Sequence, residues 1–158
     1  MLQAHGITML VDVRTVPRSR TNPQFNRETL PESLKSHGIE YQHAAALGGL
    51  RRPRPDSPNT GWKNDSFRGY ADHMRTPEFR NALDALIGIA QKETAAIMCA
   101  EAVPWRCHRS LIADALTVRN VPVEHVTSAT RRHPHKLTSF ARVSNGEITY
   151  PRESLEFE

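Results

Sequence analysis

The sequence predicts an α/β fold, a three-layer Rossmann-like domain with a mainly parallel sheet of about four strands and a C-terminal hairpin. Three observations point there. Short, β-branched apolar runs alternate along the chain with segments of helical periodicity. The runs are apolar almost throughout, as in strands covered on both faces. The chain has 158 residues, 38% hydrophobic and 24% charged, which suits one compact domain over residues 1–158.

The elements follow in order. "ITMLVDV", residues 7–13, is the first strand, closed by Asp12, Val13 and Arg14 before Pro17 breaks it. Residues 18–25 are polar and read as a loop. "NRETLPESLKSH", residues 26–37, is helical: Asn26 can cap it, Leu30 and Leu34 share a face, and Gly38 ends it. Pro31 is tolerated best where a regular helix begins. "IEYQHA", residues 39–44, alternates as a second strand. Residues 48–66 hold three prolines and three glycines and form a long loop, the kind that is often functional or mobile. In "FRGYADHM", Phe67, Tyr70, Ala71 and Met74 recur at helical spacing. Thr76 then caps a helix with Pro77 at its first position and Phe79, Leu83, Leu86, Ile87 and Ala90 on its apolar face. "TAAIMCA", residues 94–100, is the third strand, "CHRSLIADALTVRN" a helix, and "VPVEHVT", residues 121–127, the fourth strand. The tail from residue 128 is polar, and Asn145-Gly146 between alternating segments predicts a hairpin.

Charge and cysteine content narrow the classes. Lys plus Arg is 21 against 17 Asp plus Glu, a net charge of +4, with a pI near 9.4. The arginines gather at Arg14, Arg18, Arg20 and Arg27, at Arg51, Arg52 and Arg54, and at Arg131 and Arg132. Such clusters attract nucleic acid or small anions, or simply solvate loops. No apolar run reaches the roughly eighteen residues of a membrane span. The N-terminus lacks a signal-type pattern, so the expected location is cytoplasmic. Two cysteines do not make a disulfide framework and fit reduced thiols sharing a site. A homo-oligomer is compatible with all of this.

In open parallel sheets, ligands bind beyond the carboxyl ends of the strands. That rule puts residues 12–14, 43–49, 99–109 and 125–130 on one rim, where the unusual residues collect. The centre is "CAEAVPWRCHR", residues 99–109. Cys99 ends a strand and Cys107 opens a helix, whose dipole favours a thiolate, as do Arg106, His108 and Arg109. Glu101 suits general acid–base work or an ion pair. A purely structural reading makes Cys99 an inert core thiol; both cysteines stay candidates. A metal reading uses Cys99, Cys107 and His108, with His43 or His125 from neighbouring rims, but C-x7-C-H is not a standard zinc spacing. Asp12 and Arg14 serve either a ligand or a structural ion pair. His43, His125, His133 and His135 are candidate proton carriers. Gly48-Gly49 allows a close backbone approach to a ligand. Neither a dinucleotide fingerprint nor a Walker loop is present, and no cofactor is expected. Trp62 and Trp105 can stack on a base or serve as packing.

"LVDVRTVPRSRTNPQFN", "YQHAAALGGLRR", "FRGYADHM" and "CAEAVPWRCHR" together resemble the domain-of-unknown-function family 488. Order and spacing match its strand-D-V-R-x-x-P-x-S, LGG, YA-x-x-M and C-x-E-x5-C-H-R blocks over roughly residues 5–143. The resemblance implies a compact α/β fold and a site location, not a reaction. It adds Ser19 and Tyr70 to the substrate-binding candidates Asp12, Arg14, His43, Gly48 and Gly49. It also sets an expectation: family members usually begin with a strand ending in a "TIGHS"-like motif and a helix, whereas this sequence opens at "MLQAHGI", so that strand would be missing or supplied by a partner. A weaker likeness is to rhodanese-type domains, which share a strand-D-V-R segment, here residues 11–14. They place a reactive cysteine, here Cys99, after a central strand; the amides of residues 101–107 would then cradle an anion in a loop longer than theirs.

Three functions compete. The first is an enzyme using Cys99 or Cys107 with Glu101, His108 and Arg109 on an anionic or sulfur-bearing substrate. The second is a nucleic-acid-binding or -processing module, and the third a metal-binding protein.

Overall fold

The computed structural model describes residues 1–17, 23–99 and 107–152. Within them the fold is mixed α/β: a three-stranded parallel sheet in the order β2-β1-β3, from β1 (Met9–Asp12), β2 (Glu40–His43) and β3 (Ala95–Met98). The helices are α1 (Leu30–Lys35), α2 (Asp65–His73), α3 (Pro77–Lys92) and α4 (Arg109–Val118). Two antiparallel pairs complete it: β4 (Glu124–Val126) with β5 (Arg132–Pro134), and β6 (Arg142–Ser144) with β7 (Glu147–Thr149).

The central strand explains the core. Leu10 pairs with Tyr41 on one side and Ala96 on the other, and Asp12 with His43 and Met98. Side chains alternate between faces. Met9, Val11 and Val13 join the main apolar cluster with Leu83, Leu86, Leu111 and Ile112. Leu10 instead joins Leu30, Leu34 and Ile39. A strand buried on both sides must be apolar almost throughout, as this one is.

Two expectations are corrected. The segment at residues 121–127 is not a fourth strand of the parallel sheet; β4 pairs antiparallel with β5, His125 opposite His133. Its Glu124 is exposed, the mark of a strand with one wet face rather than an interior parallel strand. The first helix starts at Leu30 rather than Asn26, with Pro31 in its first turn. Asn26 contributes its carbonyl, which accepts from the amides of Thr29 and Leu30. Other local signals hold. Gly38 follows α1 with φ 74°. Thr76 Oγ1 caps α3 by accepting from Phe79 N at 3.2 Å. Asn145 and Gly146 take φ of 52° and 78°, the pair of positive values a two-residue hairpin turn needs.

The long loop after residue 48 is pinned rather than loose. The Asp72 carboxylate on α2 accepts from Arg54 N at 2.8 Å, Ser57 Oγ at 2.6 Å and Asn59 Nδ2 at 2.7 Å. A Cβ on Gly69 would collide with Arg51 O, so only glycine lets α2 approach the loop backbone. Asp114, fully buried on α4, draws in the C-terminal segment. It accepts from His135 Nε2 at 2.7 Å, Thr138 N at 3.1 Å, Thr138 Oγ1 at 2.6 Å and Tyr150 Oη at 2.8 Å. Burial, then the Asp114 charge and hydrogen bond, push the Tyr150 phenol well above its ordinary range.

Removing a carboxylate that satisfies several buried donors leaves all of them unpaired. Asp114→Ala should therefore cost about 3 kcal/mol or more in urea unfolding. Glu147→Ala removes only the half-exposed pairs with Arg75 and Arg80 and should cost under about 1 kcal/mol.

Candidate functional site

The site is built around the point where β1 leaves the sheet. Strand order β2-β1-β3 places the topological switch between β1 and β3, the position where α/β sheets open a crevice. Val13 N still donates to Met98 O at 2.9 Å. The next two carbonyls are each met by an imidazole: His108 Nε2–H donates to Val13 O at 2.8 Å, and His43 Nε2–H to Arg14 O at 2.7 Å. A buried carbonyl needs such a partner, and these two bonds dock the start of α4 and the end of β2 onto one segment.

Asp12 and Arg14 form a buried ion pair. Arg14 Nε and Nη2 donate to the two Asp12 oxygens at 2.9 and 2.7 Å, and Arg14 N adds a bond at 3.1 Å. Tyr41 Oη donates to Asp12 Oδ2 at 2.5 Å, and Arg14 Nη2 also reaches Phe25 O. Burial raises the Asp12 carboxyl, but the bonds from Arg14 and Tyr41 outweigh it and hold it below its ordinary value. Burial and the Asp12 partnership push Tyr41 up to about 12.

A cleft of about 310 Å³ opens beside this pair. Cys99, Cys107, His108, Arg14 and Thr15 line it, together with Gly49, Ser66 and an apolar rim of Val16, Leu50 and Phe67. Leu50 is 76% exposed and Val16 57%, so the rim presents apolar surface to the opening. Cys107 is buried just ahead of α4. A hydrogen bond from the Cys99 thiol, then His108 and the Arg109 amide, lower its thiol from 9.0 to about 4 against the opposing effect of burial. The Arg109 amide lies 3.3 Å from Cys107 Sγ, and His108 Nδ1 lies 3.6 Å away. Because His108 donates its Nε2 proton to Val13 O, Nδ1 is the ring atom turned to sulfur.

The remaining sequence candidates fall around this cleft in different ways. Gly48 and Gly49 both lie close against neighbouring side chains, and Gly49 also lines the cleft. A Cβ at Gly48 would collide with Thr15 Oγ1, and one at Gly49 would lie 2.6 Å from His108 Nδ1. Tyr70 is fully buried behind His108, with ring centroids 5.0 Å apart, and its hydroxyl donates to Leu47 O at 2.9 Å. Arg109 contributes its backbone amide to sulfur. His125 and His135 are brought together, at 2.7 Å, on Asp114 rather than in the cleft. Trp62 is packed edge-on between Phe67 and Phe140. Ser19, Glu101, Trp105 and Arg106 lie outside the described residues.

Sequence reasoning missed Tyr41, Thr15, Val16, Leu50 and Phe67. Tyr41 was legible in principle, since "IEYQHA" pairs beside "ITMLVDV" and parallel register places its tyrosine near the strand end. The rim residues carry no sequence signal, because an exposed leucine or valine in a loop is ordinary.

Among the described residues, no group of three or more His, Cys, Asp or Glu side chains is placed to hold a metal ion. Nor is any helix among them long and apolar enough to cross a membrane. Compared with known families, the chain matches the Domain of unknown function DUF488 over residues 1–116. No curated protein and no solved structure matches it.

Asp12→Asn should cost about 3–5 kcal/mol in urea unfolding, because it strands the buried Arg14 charge. The Asp12 contribution is complete above the ordinary carboxylate range and is lost as pH falls through the lowered folded value, so this variant should also show a weaker fall of stability in acid. Gly49→Ala should push His108 off sulfur and raise the pH at which Cys107 ionises, read from the thiolate absorbance of a Cys99→Ser background.

Proposed function

The chain belongs to the DUF488 family, and we propose that it is an enzyme in which Cys107 acts as a thiolate nucleophile on a small sulfur-bearing or anionic substrate. One observation carries the reading: the Cys107 sulfur faces an open cleft while receiving hydrogen bonds from Cys99 and the Arg109 amide, with His108 Nδ1 beside it. A buried structural thiol has no need of such donors. His108 Nδ1 holds or returns the proton, Val13 O fixes the ring, and Tyr70 backs it. Glu101, two residues past Cys99, is the sequence-based choice for a further acid–base group. Strand order and apolar clusters on either side of β1 support a three-layer Rossmann-like arrangement of the chain.

Electrostatics favour the sulfur-bearing arm. The Arg14 charge is compensated by Asp12 at 2.7 Å, which leaves a weak pull on an incoming anion. A thiolate in the cleft repels one, and the rim of Val16, Leu50 and Phe67 suits an apolar or polarisable group. Nucleic acid is less well matched, since Trp62 packs against Phe67, Phe140 and Tyr150.

Alkylation by iodoacetamide across pH tests this. One thiol should react at a rate that stays flat from about pH 8 to about pH 5 and halves near about pH 4, and Cys107→Ser should abolish that component. An ordinary thiol loses about tenfold per pH unit below its pKa, and such a decline over the whole range would refute the thiolate.

A further inference from the structure

The nucleophile reading leaves Cys99 without a task beyond donating a hydrogen bond, which a serine would perform as well. Three observations give it more. Its sulfur faces the same cleft as Cys107 and is hydrogen-bonded to it. It is half-buried and therefore the more accessible of the two, since its partner is only 5% exposed. Both sit beside regular elements: Cys99 directly follows β3, and Cys107 lies two residues ahead of α4, next to its N-cap His108. β3 is paired along its length with β1, and His108 is tied to Val13 at the end of the same strand, so the two sulfurs hang from one frame.

We propose that Cys99 is the resolving thiol for Cys107, so that the cleft reduces small-molecule disulfides and closes to a Cys99–Cys107 disulfide as it does so. The inference rests on Cys107 being the nucleophile. In the first step the Cys107 thiolate attacks one sulfur of the substrate disulfide R–S–S–R; a Cys107–S–S–R bond forms and R–S⁻ leaves. In the second step Cys99 attacks the Cys107 sulfur, and a second R–S⁻ leaves. The Cys99 proton passes to His108 Nδ1, adjacent to the reacting sulfur, and then to the departing thiolate. The two cysteines are oxidised by two electrons and the substrate is reduced to two thiols. A small-molecule thiol in excess reverses the closure and resets the pair. The apolar rim of Val16, Leu50 and Phe67 accommodates R, and the low pKa of Cys107 makes it a good thiolate for the first attack.

The neutral 2-hydroxyethyl disulfide is the probe. The reduced chain is incubated with it at about pH 6, where an ordinary thiol is largely protonated, then quenched with iodoacetamide and measured by intact mass and peptide mapping. The wild type should lose two hydrogens, with residues 99 and 107 in one linked peptide and no alkylated cysteine. Cys99→Ser, and Cys99→Ala as a second variant, should instead hold one hydroxyethylthio group on Cys107, and Cys107→Ser should take up none. A wild-type chain that retains the hydroxyethylthio group on Cys107 without closing overturns the resolving role while leaving the nucleophile intact. So does a chain that is alkylated by iodoacetamide at acid pH but ignores 2-hydroxyethyl disulfide. If Cys107 reacts with neither reagent, the nucleophile reading falls and the resolving role falls with it.

Discussion

The organisation of this protein depends on how the central strand ends. A parallel strand flanked on both sides must leave the sheet somewhere, and its last carbonyls then lose their ladder partners. Here two imidazoles supply them, His108 to Val13 and His43 to Arg14. The Asp12–Arg14 pair with Tyr41 holds the backbone between them in one conformation. A backbone requirement thus fixes the side chains of the cleft: by accepting the His108 Nε2 proton, Val13 O turns Nδ1 toward Cys107.

Helix α4 is held from both ends of its function. Just ahead of it Cys107 and His108 line the cleft, and the amide of its first residue, Arg109, donates to the Cys107 sulfur. Its buried middle carries Asp114, which gathers His135, Thr138 and Tyr150 from a segment that lies beyond the family match. Residues 135–150 are thereby tied to the helix that follows Cys107. An uncompensated carboxylate in that interior would be costly, and four donors remove the cost.

The electrostatics follow the same economy. Among the described residues that line the cleft, Arg14 is already paired with Asp12, and the Cys107 sulfur is stabilised mainly by short-range donors. Short-range hydrogen bonding stabilises a thiolate without building a field that would gather every anion in solution. That arrangement supports the proposed sulfur-bearing substrate over an anionic one.

What the sequence by itself determined is local. The apolar run ending in Asp12-Val13-Arg14, the Thr76-Pro77 helix start and the Asn145-Gly146 turn each depend on neighbours in the chain, and each is present in the structure, while the helix expected from Cys107 begins two residues later, at Arg109. The blocks around "CAEAVPWRCHR" also sufficed for the family, because their order survives without knowledge of contacts. Only the tertiary structure decided what these residues touch. It paired β4 with β5 instead of the parallel sheet, set Gly49 against the His108 ring, engaged Arg14 with Asp12, and placed Tyr70 behind the imidazole. It also gave the two cysteines different exposure, burying Cys107 and leaving Cys99 half-buried in the lining of the same cleft. Local pattern fixes which backbone forms, since it is set by dihedral preference and spacing. Partners such as Val13 with His108, 95 positions apart, are chosen by packing that no local window contains.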